Sequence, residues 1–141
     1  MALLEISQIK KTYGTGEVAL KGVDVSVEAQ EVVALLGLSG SGKSTLLRCV
    51  NRLVEPDSGQ VVLDGVDITS LGKSSLRNAR RTMGMIFQEF NLIDRLTVLE
   101  NVLAGTLGVT GTLRGIFRAF HGDDIQRALE LCERVGIIDH I

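Results

Sequence analysis

The sequence has 141 residues, the length of a single domain, and its 45% hydrophobic and 23% charged residues are typical of a globular protein. A formal net charge of −2 gives no sign of a nucleic-acid-binding surface, so we expect no nucleic acid among its partners. The longest apolar runs are far too short to span a membrane and the first residues lack a signal-peptide pattern, so a membrane association would depend on a partner. Cys49 and Cys132 lie among apolar residues at helical spacing, which favours core packing over a disulfide.

The first part of the chain is predicted to form strands. Residues 3–12 predict a strand, and residues 13–16 predict a turn. Residues 23–27 alternate strictly between apolar and polar side chains, as in a half-buried antiparallel strand. The aliphatic run at residues 32–36 predicts a strand that is buried on both faces. We therefore expect an antiparallel β portion followed by one buried strand.

The next stretch fits the spacing G-x-x-x-x-G-K-[ST]. Gly37, Gly42, Lys43 and Ser44 occupy its fixed positions, between the predicted strand and a predicted helix of about ten residues. Glycines permit positive φ angles and leave room for a phosphate, so successive N–H groups can form an anion nest at the positive end of the helix. Lys43 is expected to bind the β- and γ-phosphates, and Ser44 to bind Mg²⁺. The alternative is a Gly/Ser-rich turn, but a chance match to this spacing is below about one per cent.

The residues after this helix predict a turn and a hairpin. Residues 55–59 contain Pro and Gly and are expected to stop the helix. Residues 60–68 predict a β-hairpin with a tight turn at Asp64 and Gly65. Residues 74–81 predict a polar, basic surface helix, and residues 83–87 another short apolar strand.

The last third of the chain predicts two helices. The first covers residues 97–104, where Thr97 and Glu100 have the spacing of a capping box. The second is expected to be capped by Asp123 or Asp124 and to end at Gly136. Its apolar stripe consists of Ile125, Ala128, Leu129, Cys132 and Val135.

Together, the phosphate loop, the strands before it and Gln88 resemble the ATP-binding subunit of ABC transporters, over essentially the whole chain. Residues 37–45 match the Walker A loop of that family, which implies ATP and Mg²⁺ as ligands. Tyr13 matches the aromatic residue that stacks on adenine; without the resemblance it could be an ordinary strand-end aromatic. Gln88 matches the glutamine that contacts Mg²⁺ and the attacking water; without the resemblance it would be a surface amide. The implied nucleotide-binding residues are Tyr13, Gly37, Ser39, Gly40, Ser41, Gly42, Lys43, Ser44 and Thr45, with Lys43 and Gln88 in catalysis and Ser44 and Gln88 at the metal.

The resemblance also implies the fold and its divisions. We expect an α/β P-loop NTPase fold with a mixed sheet core, an N-terminal antiparallel β portion and the start of a helical subdomain. Residues 1–141 would form a partial ABC-type ATP-binding domain. Within it, residues 1–89 would be the β portion and nucleotide-binding core, and residues 90–141 the start of the helical subdomain. Residues 96–102 resemble the segment that opens this subdomain.

The sequence departs from the family in three features. It lacks an LSGGQ-type signature, an acidic residue with a glutamate behind it at the end of a second buried strand, and a later histidine that follows a strand. Residues 38–40 resemble a piece of the signature, but they already belong to the phosphate loop. The chain is therefore interpreted as the N-terminal part of an ATPase domain. Taken alone, it is expected to bind ATP poorly and to hydrolyse it negligibly.

The function implied by the resemblance is that of an ATP-binding, energy-coupling subunit of an ABC importer. Residues 115–120 and the glycine-rich linker before them are most similar to the phosphonate-import branch, which implies phosphonates or similar phosphorus-containing anions as the solute. The implied partners are membrane-spanning permease subunits, a second ATP-binding subunit and, indirectly, a solute-binding protein. The implied location is the cytoplasmic face of the inner membrane, as a peripheral protein.

Several alternatives remain open at this point. The chain could serve an importer of another solute, such as amino acids, or be a nucleotide-binding fragment without turnover. It could also belong to the ABC-type ATPases of DNA repair or ribosome function, although no long insertion is visible. A small GTPase or nucleotide kinase is disfavoured, because the sequence lacks N-K-x-D and more than 30 residues precede the phosphate loop.

Overall fold

The chain forms two compact units. The computed structural model describes residues 2–88, 91–108 and 120–141. The first unit is Met1–Gly84, which contains a sheet and two helices, and the second is Met85–Ile141, which is built from helices. Among the described residues, no helix combines the length and apolar character needed to cross a bilayer.

Four antiparallel strands form the sheet of the first unit. They are β1 (Ala2–Thr12), β2 (Val18–Glu28), β3 (Ser58–Leu63) and β4 (Val66–Asp67), in the order β2-β1-β3-β4. The predicted strand at 3–12 and the predicted hairpin at 60–68 are confirmed. Asp64 and Gly65 have φ angles of 49° and 75°, as a tight hairpin turn requires. The predicted alternation at 23–27 is also confirmed, because the valines are half-buried and the polar residues are exposed.

Two helices complete the core of the first unit. They are α1 (Lys43–Val50) and α2 (Lys73–Arg80), and α2 confirms the helix predicted at 74–81. Leu46 and Cys49 lie three residues apart on α1, so both side chains face the sheet. Cys49 is a buried free thiol, which agrees with the expected core packing. The buried core residues of this unit are Ile6, Ile9, Leu20, Leu46, Cys49, Val61, Ile68 and Leu76.

Helix α1 ends earlier than the sequence predicts. It has eight residues instead of about ten, and it stops before residues 55–59 are reached. Asn51 is the C-cap, and Arg52 has a left-handed φ of 53°. Arg52 Nη1 donates to the backbone oxygens of Ile68 and Leu71, at 2.9 and 2.7 Å. We attribute the early end of the helix to these tertiary contacts, which are absent from the local sequence pattern.

The strand predicted at residues 32–36 is wrong. None of the described residues pairs with this run, and the side chains of Val32 and Leu36 are 95% and 92% exposed. Val33 and Leu35 line a small apolar cleft with β1, β2 and α1, so only one face of the run contacts the core. A strand needs a hydrogen-bonded neighbour, and apolar composition alone does not supply one.

The strand predicted at residues 83–87 is wrong for the same reason. No strand is assigned to these residues, and none of the described residues is its ladder partner. Ile86 is fully exposed. Both failed predictions fall on short apolar runs, and apolar composition alone does not determine whether another segment pairs with them.

The second unit contains helices α3 (Val98–Ala104) and α4 (Gly122–Arg134), which pack against each other, and two short 3-10 helices, Gly105–Gly108 and Ile138–His140. The capping box is confirmed. The Glu100 N–H donates to Thr97 Oγ1 at 3.2 Å, and the Thr97 N–H donates to Glu100 Oε2 at 2.9 Å. These two bonds satisfy backbone donors that a helix start leaves unpaired.

The ends of α4 differ in how well they were predicted. Asp123 and Asp124 are not the cap, because the helix begins at Gly122 and its N-cap is His121, two residues before Asp123. Both carboxylates lie in the first turn, where the helix dipole stabilises negative charge. At the other end, Gly136 stops the helix as predicted, with a φ of 73°. Its N–H donates to Glu133 O and the next N–H to Cys132 O, at 3.0 and 2.9 Å, as in a Schellman motif.

The apolar stripe of α4 is only partly buried. Ala128 and Cys132 are buried, and Cys132 is a free thiol. Ile125 and Val135 are exposed, which the predicted stripe did not anticipate. The residues compared with the phosphonate-import branch, 115–120, lie outside the described residues except for Phe120.

Candidate functional site

The phosphate loop leads directly into α1. Gly40 and Gly42 have φ angles of 79° and 92°, a region that glycine adopts without strain. The Ser41 N–H donates to Leu38 O at 3.2 Å, and Gly42 O accepts the first helical bond, from the Leu46 N–H, at 2.8 Å. A Cβ on Gly42 would lie 2.5 Å from Ala19 O, so this residue packs closely against β2. The end of the loop at Gly42 therefore has no room for a side chain between β2 and the start of α1.

The Lys43 ammonium lies over this loop. Its Nζ donates to Gly37 O at 2.8 Å, to Leu38 O at 2.7 Å and to Ser41 Oγ at 3.3 Å. All three acceptors are neutral oxygens, so these contacts position the positive charge without neutralising it. An anion entering the loop would gain a charge-assisted bond from Nζ.

The N-terminus of α1 has the features of an anion site. All eight residues of α1 are described, and its first turn contains no acidic residue and no side-chain cap. Its first N–H groups and its dipole are therefore not matched by a local negative group. Ser44 is exposed and Thr45 is half-buried, so both hydroxyl groups lie in this first turn beside the loop. An incoming phosphate could accept from these N–H groups.

The structure brings Tyr13 to the same helix. Tyr13 begins the turn between β1 and β2, where its N–H donates to Glu17 O at 2.9 Å. Its hydroxyl oxygen lies 3.2 Å from Thr45 Oγ1. The residue is 37% exposed. Two residues that the sequence assigns to one site, Tyr13 and Thr45, therefore lie in hydrogen-bond contact although 32 positions separate them.

Sequence reasoning missed Asp57, which contacts the end of β1 just before Tyr13. Asp57 Oδ1 accepts from Lys11 Nζ at 2.7 Å, and Oδ2 accepts from the Thr12 N–H at 2.6 Å. The bond from Lys11, which has the larger effect, and the bond from the Thr12 N–H both lower the pKa of the Asp57 carboxyl below its usual value. The bond to Asp57 in turn raises the pKa of Lys11. Asp57 was interpreted only as part of a helix stop, and nothing in its local sequence indicates contact with β1.

Gln88 belongs to the second unit. Its side chain is exposed, and it lies just before a segment with two exposed apolar residues, Leu92 and Ile93. These two residues line an apolar groove of about 460 Å³ within this unit, together with residues of α3 and Ile137. Asn101 fixes the segment, because its Oδ1 accepts from the Ile93 N–H at 2.9 Å and its Nδ2 donates to Leu96 O at 3.2 Å. Tyr13, Thr45 and the loop belong to the first unit, whereas Gln88 belongs to the second.

Comparison with known proteins gives a consistent result. The chain is 59% identical to the phosphonates import ATP-binding protein PhnC 1 of Rhodopseudomonas palustris, over 99% of this chain and 51% of that protein. It is 54% identical to the phosphonates import ATP-binding protein PhnC 1 of Ruegeria, over 96% of this chain and 52% of that protein. The chain therefore spans about half the length of the curated relatives it matches.

A solved structure and a family match agree with these relatives. The dimeric structure of an ATP-binding cassette bound to ADP and Pi, in a post-hydrolysis state, superposes with a TM-score of 0.77 at 35% identity, covering 92% of this chain and 56% of that one. This similarity confirms the predicted α/β P-loop NTPase fold. The family described as ABC transporter matches residues 20–141, which include the whole phosphate loop. The chain belongs to the ABC transporter family.

Proposed function

We propose that this chain is the ATP-binding part of an energy-coupling subunit of an ABC importer for phosphonates or similar phosphorus-containing anions. One observation carries the nucleotide assignment. The Lys43 ammonium is held by neutral oxygens over a glycine loop, at a helix N-terminus with no acidic residue in its described first turn. The relatives are phosphonates import ATP-binding proteins by name, which supports the proposed solute.

The nucleotide would be bound at three places. Residues 37–42 would surround the phosphates with backbone N–H groups, and Lys43 would move from Gly37 O and Leu38 O to the β- and γ-phosphates. Thr45 would contribute its hydroxyl from the first turn of α1. Tyr13 would offer its ring face to adenine, since the ring is partly exposed and its hydroxyl is anchored at Thr45.

The residues present fit Mg²⁺ as an ion shared with the nucleotide. Ser44 presents an exposed hydroxyl oxygen at the loop, a ligand type that Mg²⁺ accepts. In the described part of the chain, no group of three His, Cys, Asp or Glu could hold a metal, so phosphate oxygens and waters would complete the coordination. By the resemblance to the family, Gln88 would add a carboxamide oxygen. Mg²⁺, when bound, offsets the negative charge of the β- and γ-phosphates.

We further propose that transport and turnover need more than these 141 residues. In this family the phosphate loop faces the signature segment of a second ATP-binding subunit, and the sequence contains no such segment. Residues 90–141 would open the helical subdomain, whose apolar groove at Leu92 and Ile93 would contact a membrane-spanning permease subunit. The chain would accordingly act at the cytoplasmic face of the membrane, with a solute-binding protein as an indirect partner.

Replacing Lys43 by Ala tests the nucleotide assignment. The change removes a charge-assisted bond to phosphate, at a cost of roughly 2–3 kcal/mol, which corresponds to about a 30- to 150-fold loss of Mg-ATP affinity. Titration calorimetry measures this loss. Lys73→Ala, at the exposed first residue of α2, is the matched control and should bind like the unmodified protein. Equal affinities of the Lys43 variant and the control would overturn the proposed phosphate site.

A further inference from the structure

Asp57 makes three contacts with consecutive residues at the end of β1. Its N–H donates to Lys10 O at 2.9 Å. Its carboxylate accepts from Lys11 Nζ at 2.7 Å and from the Thr12 N–H at 2.6 Å. Asp57 lies between α1 and β3, so it ties the chain that leaves the phosphate-loop helix to the strand that leads to Tyr13.

These contacts restrain the backbone that leads into Tyr13. Thr12, whose N–H is bound by Asp57, directly precedes Tyr13. The turn that follows is closed by the bond from the Tyr13 N–H to Glu17 O at 2.9 Å, and the hydroxyl lies 3.2 Å from Thr45 Oγ1. The backbone and the tip of Tyr13 are therefore both held, the first through Asp57 and the second through the first turn of α1.

We propose that Asp57 is a positioning residue for the purine base of the bound nucleotide. By fixing Lys11 and Thr12, it sets the place of the Tyr13 ring relative to residues 43–45, which hold the phosphates. The inference rests on the proposed function, because it assumes that Tyr13 meets the base. In this proposal, Asp57 does not touch the nucleotide, and it affects the binding of the base and not of the phosphates.

The physical effect is preorganisation. A carboxylate that accepts a backbone N–H makes a short, charge-assisted bond, which limits the backbone angles open to the next residue. A ring that is ordered before binding loses less conformational entropy when the base stacks on it. The Lys11–Asp57 pair is partly exposed, so its removal should change the geometry of Tyr13 more than the stability of the fold.

The test compares two ligands that share phosphates and differ in the base. Affinities of Mg-ATP and Mg-tripolyphosphate are measured by calorimetry for the unmodified protein, Asp57→Ala and Asp57→Asn. The Asp57→Ala variant should lose about 3- to 10-fold in ATP affinity and less than about twofold in tripolyphosphate affinity. The Asp57→Asn variant keeps an acceptor for the Thr12 N–H, so its ATP affinity should be higher than that of Asp57→Ala and lower than that of the unmodified protein. In the Asp57→Ala variant, the further change Tyr13→Ala should lower ATP affinity by a smaller factor than it does in the unmodified protein, because the two residues act through one ring.

Glu55→Ala is the matched control. Glu55 is an exposed acid two residues earlier whose carboxylate pairs with Arg52 at 2.6 Å, so its loss should leave the ratio of the two affinities unchanged. An equal loss for both ligands, or no loss of ATP affinity in Asp57→Ala, would overturn the inference while the phosphate site stands. Failure of the unmodified protein to bind tripolyphosphate at all would instead overturn the proposed function, and the inference with it.

Discussion

The two flanks of the phosphate loop, residues 32–36 before it and α1 after it, behave differently although both are apolar. The helix closes its own hydrogen bonds and buries Leu46 and Cys49 against the sheet. Residues 32–36 form no strand and contact the core on one face only. A helix completes its backbone hydrogen bonds within one segment, whereas a strand depends on a second segment. The flank after the loop therefore completes its hydrogen bonds within its own segment, whereas the flank before it, residues 32–36, does not form the strand that its composition predicts.

The largest expected effect concerns catalysis by the chain taken alone. The sequence lacks a positioned general base, which usually contributes about 10²–10⁴ in rate, and a signature segment from a partner, worth about 10³–10⁵ by analogy with arginine fingers. We expect ATP hydrolysis by the 141-residue chain to be lower by several powers of ten than that of a full-length subunit. The measurement is phosphate release, with Lys43→Ala as the background. A rate within about tenfold of the full-length rate, above that background, would contradict the expectation.

The next effect compares one leucine from each flank. Leu46 in α1 is 6% exposed and Leu36 is 92% exposed. Leu46→Ala should lower the free energy of unfolding by about 2–5 kcal/mol, because it leaves a cavity in the core. Leu36→Ala should change it by less than about 0.5 kcal/mol. Urea denaturation of both variants measures the difference. Similar losses would mean that residues 32–36 are packed as well as the helix.

These comparisons indicate how far the sequence determines the structure. Local signals succeeded where the chemistry is local, as in the capping box at Thr97 and Glu100 and the positive φ at Gly136. Local signals failed where a distant segment decides the outcome, as at residues 32–36 and at the end of α1. The candidate site divides in the same way. The loop residues follow from a motif, whereas Asp57 becomes visible only when the folded chain places it beside β1.

A smaller effect tests whether Tyr13 works through its ring face. Tyr13→Ala should weaken Mg-ATP binding by about 1–3 kcal/mol, a value taken from base stacking in nucleic-acid sites. Tyr13→Phe keeps the ring and loses only the bond to Thr45, so its affinity should stay within about threefold of the unmodified protein. Calorimetric titration distinguishes the two. If Tyr13→Phe lowered Mg-ATP affinity as much as Tyr13→Ala, the hydroxyl and not the ring would be responsible for the binding.

The smallest expected effect is a dependence of stability on pH. The folded pKa of Asp57 is below that of an unfolded Asp, about 3.9, because Lys11 and the Thr12 N–H stabilise its charged form. Its contribution to stability is therefore present above about pH 3.9 and is lost as the pH falls through the lowered folded pKa. For Lys11, whose pKa is raised, the contribution is present below about pH 10.4 and is lost as the pH rises through the folded pKa.

Urea midpoints of the unmodified protein and Asp57→Asn, measured from neutral pH into acid, test this dependence. The difference between the two proteins should be constant near neutral pH and should shrink below about pH 4. A difference that grows in acid would show that the sign of the linkage is wrong. Glu55→Ala, which removes the nearby Arg52–Glu55 pair, serves again as the control.

The close packing of Gly42 against Ala19 O has a consequence for the tolerance of this chain to mutation. A Cβ at position 42 would meet that oxygen at 2.5 Å, and the φ of 92° would strain any larger residue independently of the contact. The close contact between β2 and the start of α1 thus requires glycine at this position, in addition to any requirement set by the ligand. A library selected only for folded protein, with no nucleotide in the assay, should still recover glycine at position 42. The exposed Gly40, where an added Cβ would meet nothing within 4 Å, should accept Asn in the same selection.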